Sequence, residues 1–323
     1  MCIRDRVMSC GAAGNANTAQ RINFRWTDPA NGSATGECYG MSHGNQEIFV
    51  RDPSCYEGVL IRNSIDLSES GFRYLRIDGA WGIPMYIQSV YEWRYGALVI
   101  DGASPTLTEI EFTDINTTSL LTTNLAQPRL IGGEYTVGTD DESDVRGSAV
   151  QIYSSGTPVT PLILESPNFI GTTVGCGRWD PSRPVLWAED TFIKIDAATA
   201  IGDYGLSMRH SSGSVTNSEL NVNCNGIDIN SRKSVGNVDY SIEIISNEIT
   251  TADGSPITVF DGGLARIVDN DLEGADEASG ISIESSEVQV HNNDIGPIGW
   301  LERAVDARLI RRGGREQHHP RHC

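Results

Sequence analysis

The chain has 323 residues, with 43 acidic residues against 24 basic ones and a formal net charge of −19. It contains 34 glycines and only 7% aromatic residues, a composition that favours strands and turns over helices. The acidic balance argues against a nucleic-acid partner, whose phosphates would be repelled, and no apolar run is long enough to predict a membrane-spanning helix.

The two ends of the chain differ from its middle. Residues 1–7 are predicted to be an artefactual leader, and residues 302–323, which are abruptly basic and lack a strand pattern, an artefactual tail. Residues 8–57 have weak periodicity, and we interpret them as an N-terminal cap or edge region. Within that region Cys38 and Cys55 could close a short loop, and a disulfide there would suit a secreted protein.

Aromatic residues are concentrated just before the first clear repeat. Trp93 and Tyr95 belong to this group, and Trp179 lies in a later loop. If these side chains are exposed, they form a surface on which sugar rings can stack. The alternative is that they fill the core or cover one end of the fold. The complete group before the repeat is Trp81, Tyr86, Tyr91, Trp93 and Tyr95.

A six-residue pattern recurs at a spacing of 23 residues in two separate parts of the chain. Its order is apolar, three mostly small or polar positions, acidic, apolar. Between the copies lie short alternating strands such as 96–100 and 280–283, in which one face is buried. One unit cannot bury its apolar face alone, whereas stacked units can. The copies are Leu107–Phe112, Leu130–Tyr135, Ile244–Ile249, Ile267–Leu272 and Val290–Ile295.

The repeat predicts an all-β solenoid over residues 58–301, with about 23 residues per coil. Its register is interrupted at 138–201, where loops are expected to leave the coil, and loops often carry function. Four acids in this stretch are candidate ligands for a calcium ion, which prefers several oxygen ligands. Cys176 and Cys224 are far apart in sequence, and the sequence leaves open whether they pair or remain free thiols in the core. The candidate calcium ligands are Asp140, Asp141, Glu142 and Asp144.

Residues 96–113 and 280–295 resemble single units of the right-handed parallel β-helix superfamily, the fold shared by pectate lyases, polygalacturonases and many surface proteins. The resemblance covers about two-thirds of the chain. It implies a ladder of stacked asparagines at one turn, for which Asn247, Asn270 and Asn293 occupy equivalent positions. Asparagine suits such a turn because it tolerates left-handed backbone and its amide can bond to neighbouring coils.

The superfamily includes lyases, hydrolases and adhesins, so the fold alone does not select a function. The motifs of polygalacturonase-like enzymes are missing from the repeat. An acidic column of Glu248, Asp271 and Asp294 is also what a soluble rod needs, so we assign no catalytic residue. We therefore predict a non-catalytic region of a larger secreted or cell-surface protein. It would act as a stalk, adhesin or glycan-binding module whose partner is a polysaccharide or cell-surface glycan.

Two alternatives remain from the sequence. The first is a polysaccharide lyase or glycoside hydrolase that acts on an acidic polysaccharide. The second is a structural module that depends on calcium, which overlaps with the stalk. An enzyme should present converging acids together with an arginine, lysine or histidine on one face of the coils, whereas a stalk should present only stacked turns.

Overall fold

The computed structural model describes residues 22–23, 47–50, 58–62, 71–73, 75–78, 80, 82–113, 115, 117–137, 148–173, 176, 184–274, 279–296 and 305–308. This part of the chain consists of strands and turns without a helix. Consequently, it contains no helix with the length and apolar character needed to cross a membrane.

The first strands in chain order are β1 (Ile22–Asn23), β2 (Glu47–Val50), β3 (Val59–Arg62), β4 (Gly71–Arg73), β5 (Leu75–Asp78), β6 (Ile83–Ile87), β7 (Glu92–Asp101), β8 (Thr106–Thr108), β9 (Glu111–Thr113) and β10 (Thr118–Thr123). They are followed by β11 (Arg129–Ile131), β12 (Glu134–Thr136), β13 (Val150–Tyr153), β14 (Leu162–Glu165), β15 (Asn168–Ile170), β16 (Pro184–Glu189), β17 (Phe192–Asp196), β18 (Thr199–Gly202), β19 (Tyr204–Thr216) and β20 (Glu219–Val222). The last are β21 (Ile227–Val235), β22 (Val238–Tyr240), β23 (Ile242–Ile245), β24 (Glu248–Thr251), β25 (Ile257–Phe260), β26 (Leu264–Val268), β27 (Asp271–Glu273), β28 (Ile281–Glu284), β29 (Glu287–His291), β30 (Asp294–Ile295) and β31 (Val305–Arg308).

The strands stack into three columns of parallel strands. The first column contains β3, β7, β10, β13, β16, the first half of β19, β21, β25, β28 and β31. The second contains β4, β8, β11, β14, β17, the second half of β19, β23, β26 and β29. The third contains β1, β5, β9, β12, β15, β18, β20, β24, β27 and β30. From β7 onward the chain visits the columns in this order again and again, which confirms the predicted all-β parallel β-helix.

The 23-residue spacing holds at some steps of the stack and not at others. Leu107 pairs with Leu130, and Ile244 pairs with Ile267, each 23 residues further along the chain. By contrast, Val150 pairs with Leu186, because segments between the columns lengthen that coil. Parallel pairing fixes only which strands lie side by side, about 4.8 Å apart. The turns that connect them are free to vary in length.

The turn between the second and third columns has a constant backbone shape. From β8 onward each of these turns contains a residue with a positive φ, such as Ser246, Asp269 and Asn292. The next residue points inward, and in the last three coils it is asparagine. Asn247 Nδ2 donates to Asn270 Oδ1 at 2.9 Å, and Asn270 Nδ2 donates to Asn293 Oδ1 at 2.8 Å. The three amides therefore form a hydrogen-bonded ladder along the stack.

The interior is a continuous apolar core, because alternate residues of every strand point inward. Isoleucine, leucine and valine dominate it. In the third column, Phe112, Tyr135 and Phe169 stack with ring centroids 5.7 and 5.9 Å apart. Stacking identical strand positions thus places like side chains on one another, which is the packing that the sequence repeat predicts.

Cys176 and Cys224, whose pairing the sequence left open, are not free thiols: they form a disulfide with a Cα–Cα distance of 5.7 Å. Cys176 follows β15 and Cys224 follows β20. The third column places these strands two coils apart, with β18 between them. The stack therefore brings together cysteines that are separated by 48 residues. Cys38 and Cys55 lie outside the described residues, so their pairing stays a prediction.

Candidate functional site

A β-hairpin lies on the outer face of the first column. It is formed by β6 and the first half of β7, which pair antiparallel from Ile83–Gly96 to Ile87–Glu92. Ile87 is buried and packs with Ile83 and Met85 in a second apolar cluster, which also includes Val99 and Leu121 on the outer face of the stack. This alternation gives the hairpin one apolar side, which explains why it lies against the coils.

The opposite side of the hairpin is aromatic and exposed. Tyr86 and Trp93 are cross-strand partners, and their ring centroids are 5.5 Å apart in an edge-to-face arrangement. Tyr86, Trp93 and Tyr91 in the turn are 48%, 57% and 77% exposed, respectively. Tyr95 is half-buried beside them. We call Tyr86, Tyr91, Trp93 and Tyr95 the aromatic face.

Polar contacts fix the hairpin to the stack from beneath. Arg94 is directed away from the aromatic face, and its Nε donates to Tyr153 Oη at 3.0 Å. Its guanidinium also forms an ion pair with Glu92. Tyr153 Oη in turn donates to Gln151 Oε1 at 3.4 Å. Burial raises the pKa of Tyr153, although the Arg94 charge opposes the shift, so the phenol stays neutral.

A row of polar side chains continues along the outer face of the first column, beyond the hairpin. Trp187 Nε1 donates to Glu189 Oε2 at 3.3 Å, and Arg209 Nε lies 3.9 Å from Glu189 Oε1. One coil further, Asp228 accepts a hydrogen bond of 3.1 Å from Asn225 Nδ2. We call Trp187, Glu189, Arg209 and Asp228 the outer polar row.

Asp228 has an unusual acidity in this row. Burial raises its pKa to about 6, although hydrogen bonds from Thr258 and Asn225 oppose the shift. A carboxyl group that titrates near neutrality can both accept and release a proton at physiological pH. Perturbed carboxyl groups also occur in purely structural networks, so the pKa of Asp228 marks a candidate and does not define a reaction.

Only some of the predicted site residues lie in the part of the chain that the structure describes. Trp93 and Tyr95 lie together on the aromatic face, and the exposure of Trp93 is incompatible with the alternative that it fills the core. Trp179 and the four candidate calcium ligands, Asp140, Asp141, Glu142 and Asp144, lie outside the described residues. Within the described ranges, no group of three or more histidine, cysteine or acidic side chains could hold a metal ion.

The sequence analysis did not identify the outer polar row as a site. Glu189 and Arg209 belong to strands whose register steps differ from 23 residues, so the repeat does not align them. Asp228 stands at an outward position of β21, between the buried Ile227 and Ile229. Alternation could have shown that it points outward, but not which side chains of neighbouring coils lie beside it.

Comparisons with known proteins give little further information. No protein-family model matches the chain, and no curated protein matches it. Among solved structures, a variant of the periplasmic alginate epimerase AlgG is similar to 71% of this chain over 68% of its own length, with 13% sequence identity and a TM-score of 0.20. A TM-score of this size supports no conclusion about the site.

Proposed function

We propose that this β-helix binds a glycan on the aromatic face. The exposure of Tyr86, Tyr91 and Trp93 on one anchored hairpin is the observation that carries the proposal. Large apolar side chains are normally buried, so an exposed group of them marks an interaction surface. Aromatic rings have a flat apolar face and, in tyrosine and tryptophan, a polar edge. That combination suits a sugar ring, which presents C–H groups on its face and hydroxyls at its rim.

The anchoring of the hairpin supports binding as well. Arg94, Tyr153 and the apolar cluster hold its inner side, so the aromatic rings are already arranged before a ligand arrives. A surface that is ordered in advance loses less conformational entropy on binding. We further propose that the chain is part of a larger secreted or cell-surface protein, in which the stack acts as a stalk. The disulfide between Cys176 and Cys224 is consistent with an oxidising compartment.

A glycan array probed with the wild type and with Trp93→Ala tests the binding proposal. We expect the variant to lose at least about tenfold in affinity for the glycan that the wild type binds, because a tryptophan that the ligand covers typically contributes much of the binding free energy of an interface. Val159→Ala is the control, since Val159 is 89% exposed and belongs to the segment between β13 and β14, outside the hairpin. Equal binding by wild type and Trp93→Ala would rule out the aromatic face.

The outer polar row favours a second candidate function, a lyase or hydrolase that acts on an acidic polysaccharide. Its support is the occurrence of Glu189, Arg209 and Asp228 on one face of consecutive coils. An arginine could neutralise a substrate carboxylate, and the two acids could exchange protons. The test is a polyuronate depolymerisation assay with and without calcium. Turnover that Asp228→Asn and Arg209→Ala both abolish would support this function, and absence of turnover by the wild type would contradict it.

A further inference from the structure

The two rings at the centre of the aromatic face do not share a plane. Tyr86 and Trp93 are 48% and 57% exposed, and their ring planes are inclined to each other by 62° with the centroids 5.5 Å apart. A flat surface can lie against only one of two rings that are inclined by this angle, and it meets the other ring at its edge. The pair therefore forms a corner rather than a flat platform.

The backbone of the hairpin supports this arrangement. Two-stranded ribbons twist more strongly than wide sheets, so the successive outward positions of β7, at Trp93 and Tyr95, face in different directions. Between them Arg94 is held on the inner side by its hydrogen bond to Tyr153, which fixes the strand on the stack. Tyr91 lies in the turn with a φ of 57°, away from the line of either strand. The rings are therefore carried by an ordered backbone whose twist keeps them out of one plane.

The aromatic face is also small. The hairpin is two strands wide, and its strand β6 has five residues, a length of about 17 Å. Outside this hairpin, the part of the chain that the structure describes has no exposed tyrosine, tryptophan or phenylalanine. The described coils therefore do not extend the aromatic contact along the stack. The available surface fits a short stretch of one chain and not a layer of many chains.

We propose that the aromatic face binds a single free glycan chain and does not bind crystalline polysaccharide; this rests on the proposed glycan-binding function. In a crystal, packed chains present their sugar rings in one plane, which suits a row of coplanar aromatic rings. A free chain can turn at each glycosidic linkage. It can therefore stack one sugar on the first ring of the corner and direct the next sugar to the second ring, so that Tyr86 and Trp93 contact the same ligand.

The test compares soluble and crystalline forms of polysaccharides. Affinity electrophoresis in hydroxyethylcellulose, glycol chitin, xylan and glucomannan measures binding to free chains. Sedimentation with microcrystalline cellulose and with crystalline chitin measures binding to crystal surfaces. We expect at least one soluble polysaccharide to retard the protein, and neither crystalline solid to deplete it from solution. Oligosaccharides of the retarding polymer should compete, and their affinity should stop rising once they exceed the length of the hairpin.

Two variants locate the contact. Tyr86→Ala should lower the affinity for the soluble chain about two- to tenfold, which is the range of one aromatic contact, and Trp93→Ala should lower it at least about tenfold. Val238→Ala is the matched control, because Val238 is 54% exposed and pairs with Val235 across the hairpin of β21 and β22. It removes an exposed apolar side chain from a hairpin without touching the aromatic face, and should leave the affinity unchanged. Unfolding midpoints of the three variants verify that the fold is retained.

The outcomes separate this inference from the proposed function. Suppose that the protein binds crystalline cellulose or chitin, that Trp93→Ala abolishes this binding, and that soluble oligomers of the same sugar do not displace it. Glycan binding then stands, and the inference of a single free chain is refuted. Unchanged affinity of Tyr86→Ala for the soluble chain also refutes the inference, since only one ring would then contact the ligand. Absence of binding to all of these polysaccharides and on the glycan array refutes both proposals.

Discussion

Two buried tyrosines differ in the partners of their hydroxyl groups. Tyr135 lies in the aromatic stack of the core, and its hydroxyl has no hydrogen-bond partner. Burial raises its pKa far above the usual value, so the group stays protonated. The hydroxyl of Tyr153, by contrast, accepts from Arg94 and donates to Gln151. A buried polar group without a partner costs free energy, whereas one in a network contributes to stability.

We therefore predict opposite effects for the same substitution at the two sites. Tyr135→Phe should raise the free energy of unfolding by up to about 1 kcal/mol, and Tyr153→Phe should lower it by about 1–2 kcal/mol, because Arg94 then loses a buried partner. Chemical denaturation of both variants beside the wild type provides the measurement. A loss of stability in Tyr135→Phe would show that its hydroxyl has a partner after all.

Asp228 predicts a pH dependence of stability. Its pKa in the folded protein is about 6, above the value of about 3.9 expected in the unfolded chain. The folded state therefore holds this proton more tightly. The stability that Asp228 contributes is complete below about pH 4, declines as the pH rises to about 6, and is lost above that value.

Asp228→Asn should remove this decline. The variant should gain stability relative to the wild type between about pH 4 and 6, by up to about 2 kcal/mol, and the difference should stay constant at higher pH. Unfolding midpoints measured across this range test the prediction. Asp239 is the contrasting control, since hydrogen bonds from Ser234 and Arg232 lower its pKa and Asp239→Asn should shift stability with the opposite sign. A constant difference at all pH values would contradict the raised pKa of Asp228.

At the scale of elements, insertions from the coils are held by specific contacts. The hairpin of β21 and β22 is fixed at its base, where Lys233 pairs with Asp190 two coils earlier and Arg232 Nε donates to the Gly262 carbonyl at 3.0 Å. The segment after β15 is fixed by the disulfide from Cys176 to Cys224. The Lys233–Asp190 ion pair and the disulfide each span an intervening coil, and the Arg232 hydrogen bond joins two neighbouring coils. All three contacts therefore stabilise the stacking rather than a single strand.

Removal of the disulfide should weaken the stack measurably. A closed loop of this length restricts the unfolded chain by an amount worth about 2–4 kcal/mol. We expect the double variant Cys176→Ser, Cys224→Ser to unfold at lower denaturant concentration than the wild type, and reductant to bring the wild type to the same midpoint. The double variant itself should not respond to reductant in this transition. An unchanged midpoint of the reduced wild type would contradict the stabilising role.

At the scale of the whole molecule, stacking repeats charge as well as apolar contacts. Outward positions of the third column place Glu219, Glu248, Asp271 and Asp294 in direct lateral register. Like charges at such positions repel. The sequence repeat thus carries a cost in free energy that salt can reduce by screening.

We predict that the unfolding temperature rises with ionic strength and that Asp271→Asn raises it at low salt by about 2 °C, with a smaller further response to salt. Glu243→Gln is the control. The Glu243 side chain is half-exposed, but its Oε1 lies 3.4 Å from Arg266 Nη1, so neutralising it should not raise the unfolding temperature. Calorimetric scans at several salt concentrations test this. If Asp271→Asn responds to salt as strongly as the wild type, repulsion along the column is not the cause.

Much of the fold can be predicted from the sequence, because the features that determine it are local. Period-two alternation decides which side chains of a strand point inward, and turn residues such as Ser246 and Asp269 mark where strands end. One turn of the stack separates Asn247 from Asn270, and another separates Asn270 from Asn293. The hydrogen bonds between successive asparagine amides therefore follow once the coils are stacked. These features require no knowledge of distant parts of the chain.

The tertiary structure alone decided the lateral neighbours wherever a coil departs from 23 residues. The neighbour of a residue in the next coil depends on the length of every turn in between, and alternation says nothing about that length. For this reason the sequence showed neither the contact between Glu189 and Arg209 nor the pairing of Cys176 with Cys224. Likewise, the sequence showed that aromatic residues cluster before the repeat, but only the hairpin pairing of Tyr86 with Trp93 decided that they face solvent. The local alternation pattern is therefore enough to predict the core, whereas the surface depends on the lengths of all the turns and insertions between the strands.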